Sequence, residues 1–234
     1  MPRLIAALVR HGDYQQLPDT PSALQPFPLT DEGQRQSEEA ASILLTMLNN
    51  CKCALAPEVD SSNLLRAWET ASIMIEQMQA TSPAHLFLSG HDALAERSLG
   101  SAANLSVQQI EAIMQTDPRF DEPPENWKSN SHYRLPLQGA ESLLEAGARV
   151  AEHLRKRMQT LAQSVEVDTL KLFVGHGAAF RHAAYHLGVL EIEQIAGLSM
   201  FHAQPVLLEY HTAQQWQHID GDWKQRNGNS SFND

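Results

Sequence analysis

The sequence predicts an α/β fold with a mostly parallel central sheet, on three observations. A short, wholly apolar run at Leu4–Val9 and a mostly apolar one at Thr169–Val174 read as strands buried on both faces, the pattern of a central parallel sheet. Amphipathic helical stretches alternate with such runs along the chain, the order that builds βαβ units. Both apolar runs lead into a His-Gly pair, His11-Gly12 and His176-Gly177, which places similar chemistry at two strand ends.

The elements follow in order. After the first strand, residues 13–30 are rich in proline and lack a clear period, which predicts a long loop of the kind that carries function. Thr30 with Gly33 opens a helix whose apolar face is Ala40, Leu44, Met47 and Leu48. A strand over Cys53–Val59 precedes a helix over Asn63–Gln79, with Leu64, Trp68, Ala71, Ile75 and Met78 as its buried stripe. His85–Leu88 is a third strand. Residues 100–138 are irregular, with a short helix near Val107–Met114, and read as a lid-like insertion in a single domain spanning 1–234. A long amphipathic helix covers Glu141–Ala162 and buries Leu144, Gly147, Ala151, Leu154 and Met158. Behind the strand at 169–174 comes a helix over Ala178–Leu187, then strands near Leu198–Ala203 and Val206–His211. Because these last two are close in sequence, one is expected to run antiparallel. Residues after Trp223 are polar and expected to fray.

Composition narrows the function. With 234 residues and 42% hydrophobic content the chain can bury a full core. No run reaches the roughly 20 apolar residues of a spanning helix, and the apolar start at Leu4–Val9 is too short for a signal peptide; a cytoplasmic protein with no membrane partner is expected. A net charge of −11 argues against nucleic acid, whose binding rests on many Lys and Arg contacts. Cys51 and Cys53, one residue apart on extended chain, point to opposite faces and are expected to remain reduced thiols.

In open α/β sheets ligands bind beyond the carboxyl ends of the strands. Three polar groups fall there: Arg10-His11-Gly12; Ser62 and Arg66 after the second strand; and His176-Gly177. Arg10 and Arg66 can each clamp anionic oxygens through two donors, and helix amino termini near Asn63 and Ala178 add N–H donors. This is chemistry suited to a phosphoryl group, whose transfer depends on positioning and charge stabilisation. His11, kept neutral by the arginines, is the candidate nucleophile. Its second ring nitrogen needs an acceptor, either the Gly12 carbonyl or the Ser62 hydroxyl. The leaving alkoxide needs a carboxylic acid at the pocket mouth.

LVRHG at 8–12, SNLLRAWETA at 62–71 and VGHG at 174–177 resemble the signature of the histidine phosphatase superfamily, most of all its phosphoglycerate mutase-like branch. LTDEG at 29–33, LAERSLG at 94–100 and GAES at 139–142 extend the resemblance, which spans residues 4–211 and is loose between 101 and 138. It implies a three-layer α/β/α fold with one antiparallel strand, and a phosphohistidine on His11. It implies that Arg10, Arg66, His176 and the Gly177 N–H hold phosphoryl oxygens, with Ser62 and Asp13 in the same pocket, and that Glu96 is the proton donor. It implies neither cofactor nor metal. The expected activity is phosphomonoester hydrolysis of the histidine acid phosphatase type, on a phosphorylated small molecule or phosphoprotein; the oligomeric state is open. Two alternatives stand beside it, a cofactor-dependent phosphoglycerate mutase and a non-catalytic phosphate-binding relative. Against the mutase, Glu96 is followed by Arg97-Ser98-Leu99-Gly100 rather than by the Arg-His-Tyr-Gly of that branch, so a tyrosine ligand is missing.

Plainer readings compete for several residues. Glu111 or Asp92 are alternatives to Glu96 as the acid. Arg66 could serve only its own helix through Glu69 or Thr70. Glu141 is expected to support a helix start. His182 and His186, one turn apart, read as a surface or interface pair rather than metal ligands. Trp127 and Tyr133 either pack the 100–138 segment down or line a pocket, and His202 carries no signal of its own.

Overall fold

Strand β1 (Leu4–Arg10) is the middle of the molecule, with every residue buried. The computed structural model describes residues 2–81, 85–211 and 215–226. Following β1 come α1 (Asp31–Cys51), β2 (Ala54–Leu55), β3 (Glu58–Ser62), α2 (Leu65–Thr81), β4 (Phe87–His91), α3 (Val107–Thr116) and α4 (Leu143–Ala162). The remaining elements are β5 (Thr169–Gly175), α5 (Gly177–His186), α6 (Ile192–Ile195), β6 (Leu198–Met200), β7 (Pro205–Tyr210), β8 (Trp216–Asp220) and β9 (Trp223–Gln225). The main sheet has the order β4-β3-β5-β1-β7-β8, with β2 also paired to β5. Only β7 is antiparallel to its neighbours β1 and β8 in this sheet, so the expected mostly parallel sheet with one reversed strand holds.

Alternation along β1 makes the three layers. Ile5, Ala7 and Val9 pack with Ala40 and Leu44 of α1 and Ala67 and Met74 of α2. Leu4, Ala6 and Leu8 face the other way, onto Val150 and Leu154 of α4 and Phe180 of α5. Helix α1 starts where Thr30 and Gly33 predict it, and α4 starts at Leu143, two residues after the expected Glu141. The Thr30 hydroxyl accepts from the Gly33 N–H, and Ser142 and Glu145 form a reciprocal capping box at α4.

Several expectations need correction. Trp68 is not in the buried stripe of α2 but 47% exposed. The helix is rotated so that Arg66 and Thr70 point inward, where both make polar contacts at the sheet rim. Likewise α4 buries Leu143 and Val150, with Leu144 only partly covered. The single strand expected at Cys53–Val59 is two, β2 and β3. The strands at 198–200 and 205–210 do not pair with each other. A left-handed Ala203 (φ 51°) turns the chain, its N–H donates to the Arg10 carbonyl, and β6 pairs instead with β9. Trp223–Gln225 is therefore a strand, where fraying was expected. Residues 227–234 lie outside the described residues.

Within 100–138, Ile110, Met114, Trp127 and Leu135 form a small core of their own with Leu99, Ala140 and Ala23. Trp127 is 3% exposed and its indole N–H donates to Glu111, so this residue packs the segment down. Both cysteines are free and partly buried, and among the described residues no helix is long and apolar enough to cross a membrane.

Candidate active site

The carboxyl ends of β1, β3 and β5 meet on one rim. Parallel pairing aligns Arg10 with Gly175, and the His11 N–H donates to the Gly175 carbonyl at 2.9 Å. That register sets His11 beside His176, with ring centroids 5.1 Å apart. Two close approaches make the register possible. A Cβ on Gly12 would lie 2.4 Å from the Gly33 carbonyl oxygen, and one on Gly177 would lie 2.9 Å from the Arg10 side chain that crosses it. Ser62 ends β3, and Arg66 enters from the first turn of α2. All four of His11, Ser62, Arg66 and His176 are at most 1% exposed.

The hydrogen bonds fix the imidazole tautomers. His11 Nδ1 lies 2.7 Å from the Gly12 carbonyl, which can only accept, so Nδ1 carries the hydrogen. Nε2 is then the lone-pair nitrogen, and the Arg66 Nε–H donates to it at 3.2 Å. Of the two acceptors open at the sequence level, Gly12 is the one used. The Ser62 hydroxyl lies 2.9 Å from His176 Nε2, while His176 Nδ1 accepts from Arg66 Nη2 at 3.2 Å. Arg66 also donates to the carbonyls of Gln25 (2.9 Å), Ser22 (3.2 Å) and Ala23 (2.9 Å), so it does more than serve its own helix. Glu69 instead accepts from the Leu29 N–H, and Thr70 accepts from the Gly12 N–H. Arg10 Nη1 donates to the Met200 carbonyl. Asp13 turns to the amino end of α1, where its carboxylate accepts from the Thr30 hydroxyl at 2.7 Å.

Electrostatics hold both histidines neutral. Burial, then the charge of Arg66, pushes His11 and His176 well below the usual imidazole range. Burial also lowers Arg10 and Arg66, although nearby Glu96 opposes this in each case.

Glu96 is 6% exposed and accepts from the Arg97 N–H at 2.8 Å. Its segment is anchored by Arg149, which donates to the carbonyls of Ala93 and Ala95 and forms a two-pronged ion pair with Glu141. Glu141 accepts from the Ser98 N–H as well, so it ties the segment after Glu96 to Arg149, while the start of α4 is capped by Ser142 and Glu145 instead. Glu111 is tied to Trp127, and Asp92 accepts from Asn63. Neither His182 nor His186 forms a surface pair: His182 is fully buried between Ala178 and Ser131, and His186 binds the Leu144 carbonyl.

Three neighbours escaped the sequence reading. The Tyr14 ring lies 4.6 Å below the Arg66 guanidinium and edge-on to His11 at 5.3 Å. His202 lies 5.7 Å from His11. Arg149 anchors the Glu96 segment from α4. Tyr14 follows Arg-His-Gly closely enough to have been suspected; no local signal marks His202 or Arg149.

With this geometry in hand, residues 6–219 match the histidine phosphatase superfamily (branch 1), and the chain belongs to that superfamily. Among solved structures, one titled mycobacterial hydrolase 1 is 22% identical, covers 94% of this chain and 97% of its own, and has a TM-score of 0.68. A mycobacterial glucosyl-3-phosphoglycerate phosphatase with inorganic phosphate is 22% identical over 99% of this chain and 98% of its own, with a TM-score of 0.65. A phosphoserine phosphatase variant from Entamoeba histolytica, bound to phosphoserine, is 15% identical over 94% and 96%, with a TM-score of 0.62. These likenesses establish a shared fold. No curated protein gives a significant match.

Proposed function

We propose that this member of the superfamily hydrolyses phosphomonoesters through a phosphohistidine on His11. The observation that carries the reading is the fixed tautomer: with Nδ1–H held by Gly12, the lone pair on Nε2 faces the Arg66 guanidinium, where an anionic phosphoryl group would be drawn. The Nε2 lone pair attacks phosphorus as the ester P–O bond breaks. Glu96, entering protonated, gives its proton to the leaving oxygen. The resulting carboxylate then takes a proton from water, whose oxygen attacks phosphorus and releases phosphate and His11. Arg10 and Arg66 stabilise the equatorial oxygens. Phosphoryl oxygens are stronger acceptors than the carbonyls of Ser22, Ala23 and Gln25, so they displace them from Arg66. The dianion also reverses the field on His176 and favours its protonated, donating form.

Superfamily membership and the phosphatases sharing the fold support hydrolysis. So does the leucine at position 99, three residues after Glu96, where the mutase pattern has its tyrosine ligand. Rapid acid-free quenching of a turnover mixture made with 32P-labelled ester is expected to leave base-stable, acid-labile label on the peptide containing His11. Label on any other residue, or none under turnover, would overturn the mechanism. Glu96→Gln is expected to slow alkyl phosphates about a hundredfold and p-nitrophenyl phosphate much less, because the poor leaving group needs the proton. Equal slowing would remove Glu96 from the acid role.

A further inference from the structure

Tyr14 stands against two of the groups that the proposed chemistry uses. Its ring lies 4.6 Å from the Arg66 guanidinium, face-on, and 5.3 Å from the His11 ring, edge-on. The backbone around it is held on both sides. Tyr14 bridges antiparallel to Leu29, the Gln15 N–H donates to the Pro28 carbonyl at 3.0 Å, and the Asp13 N–H donates to the Gln36 side chain at 2.9 Å. This clamp fixes where the side chain begins, and at 5% exposure the ring has little room to turn.

Several polar groups around the ring are satisfied within the protein. His11 Nδ1 is held by Gly12, His176 Nε2 by Ser62, and Arg66 by loop carbonyls and both imidazoles. The Tyr14 hydroxyl is different. It is buried, and no protein group meets it with full hydrogen-bonding geometry. The Ser22 side chain approaches it without completing a bond, and the charged groups that act on it are Arg66, Glu96 and Arg10. Those three are the residues proposed to stabilise the phosphoryl oxygens and to protonate the leaving oxygen. Burial raises the phenol above its usual range against the opposing charge of Arg66, so the hydroxyl keeps its proton and can donate. Burying a hydroxyl without a partner is unfavourable. A phosphoryl oxygen is the partner this pocket would bring, and a bond to an anionic oxygen is among the stronger ones a hydroxyl makes.

We propose that Tyr14 is a further residue of the reaction: its hydroxyl donates to a phosphoryl oxygen of the bound ester and of the transition state, while its ring supports the Arg66 guanidinium. This role rests on the reading of the His11 pocket as the phosphoryl site. A phenol adds a hydrogen bond without adding a charge, so His11 stays neutral and nucleophilic beside two guanidiniums.

Tyr14→Phe keeps the ring and deletes the hydroxyl, and orthovanadate serves as a probe of the phosphoryl transition state. The dissociation constant of orthovanadate, measured by titration calorimetry, is expected to rise about tenfold or more, and kcat/KM for p-nitrophenyl phosphate to fall by a similar factor. The thermal midpoint without ligand is expected to stay level or rise, because the free protein loses no hydrogen bond. Both constants within about threefold of wild type would overturn the role of the hydroxyl. So would a midpoint several degrees lower, which would mean that the bond is made inside the free protein. Tyr14→Leu removes the ring as well and is expected to lower kcat/KM about fivefold further in folded protein; equality with Tyr14→Phe would overturn the support of Arg66. A wild type that binds orthovanadate but leaves p-nitrophenyl phosphate intact strikes the phosphatase reading, and the orthovanadate constants then decide Tyr14 alone. A wild type that binds no orthovanadate overturns both.

Discussion

Two buried polar clusters share β3 and β5, and they handle charge in opposite ways. Behind the rim, Asp60 of β3 is fully buried, ion-paired to Lys171 at 2.6 Å and Arg157 at 2.8 Å and hydrogen-bonded to His153 at 2.8 Å, with Glu58 completing the set through Arg157. At the rim, two residues along β3 from Asp60, every hydrogen bond described for Arg66 goes to a carbonyl or an imidazole nitrogen. The first cluster closes its charge internally. The second holds positive charge on neutral acceptors and so remains receptive to an anion. Asp60, His91 and His153 even present ligand atoms within 4.8 Å of one another, a spacing a metal could use, but the Asp60 carboxylate is already paired with the Lys171 ammonium and the Arg157 guanidinium. Burial of titratable groups is therefore a poor guide to function; the sign of what surrounds them is a better one.

Substitutions should separate the two clusters. The largest effect is expected from His11→Ala, which should cut turnover about ten-thousandfold or more with little change in the thermal midpoint; near-wild-type rates would dissolve the distinction from the catalytic side. Asp60→Ala should do the reverse. It leaves Lys171 buried beside Arg157 without its carboxylate, at a cost of about 3–5 kcal/mol, read as a midpoint about 10 °C lower, with kcat/KM of the folded fraction within a few-fold. A large loss of kcat/KM in that folded fraction would show that the clusters act as one.

A smaller effect sharpens the contrast through pH. Burial alone would raise Asp60, but the bond from His153 and the charges of Lys171 and Arg157 outweigh it and hold it at about 2. A carboxyl lowered in the folded state binds protons more weakly there than when unfolded. Its contribution, about 2 kcal/mol, is present above about pH 4 and lost as pH falls toward 2. Unfolding free energies of the wild type and Asp60→Asn should converge over that interval; parallel curves would remove Asp60 from the acid response.

Much of this was legible in the sequence where one residue's neighbours in space are also its neighbours in the chain or the period. LIAALVR and TLKLFVG announce buried strands, and each of their residues is buried. Arg10, His11, Ser62, Arg66 and His176 converge because a parallel sheet aligns their strand ends. What escaped depends on long-range pairing. Lys171 interrupts an apolar run without any local hint that Asp60 faces it from β3. The three-residue strands β6 and β9 have too little pattern to read, and their pairing spans the β7–β8 hairpin. Trp68 misled because hydrophobicity argued for burial while Arg66 and Thr70, two polar residues, needed the inward face.

The loop carbonyls on Arg66 also bear on the rhythm of turnover. Ser22, Ala23 and Gln25 supply a resting set of acceptors from the chain itself. On the proposed mechanism, these carbonyls would take back the guanidinium as inorganic phosphate leaves it. The gain from binding phosphate is then only the difference between charged and neutral acceptors, on the order of 1 kcal/mol per bond. An enzyme arranged in this way would hold its product loosely, and product inhibition by phosphate would be weak.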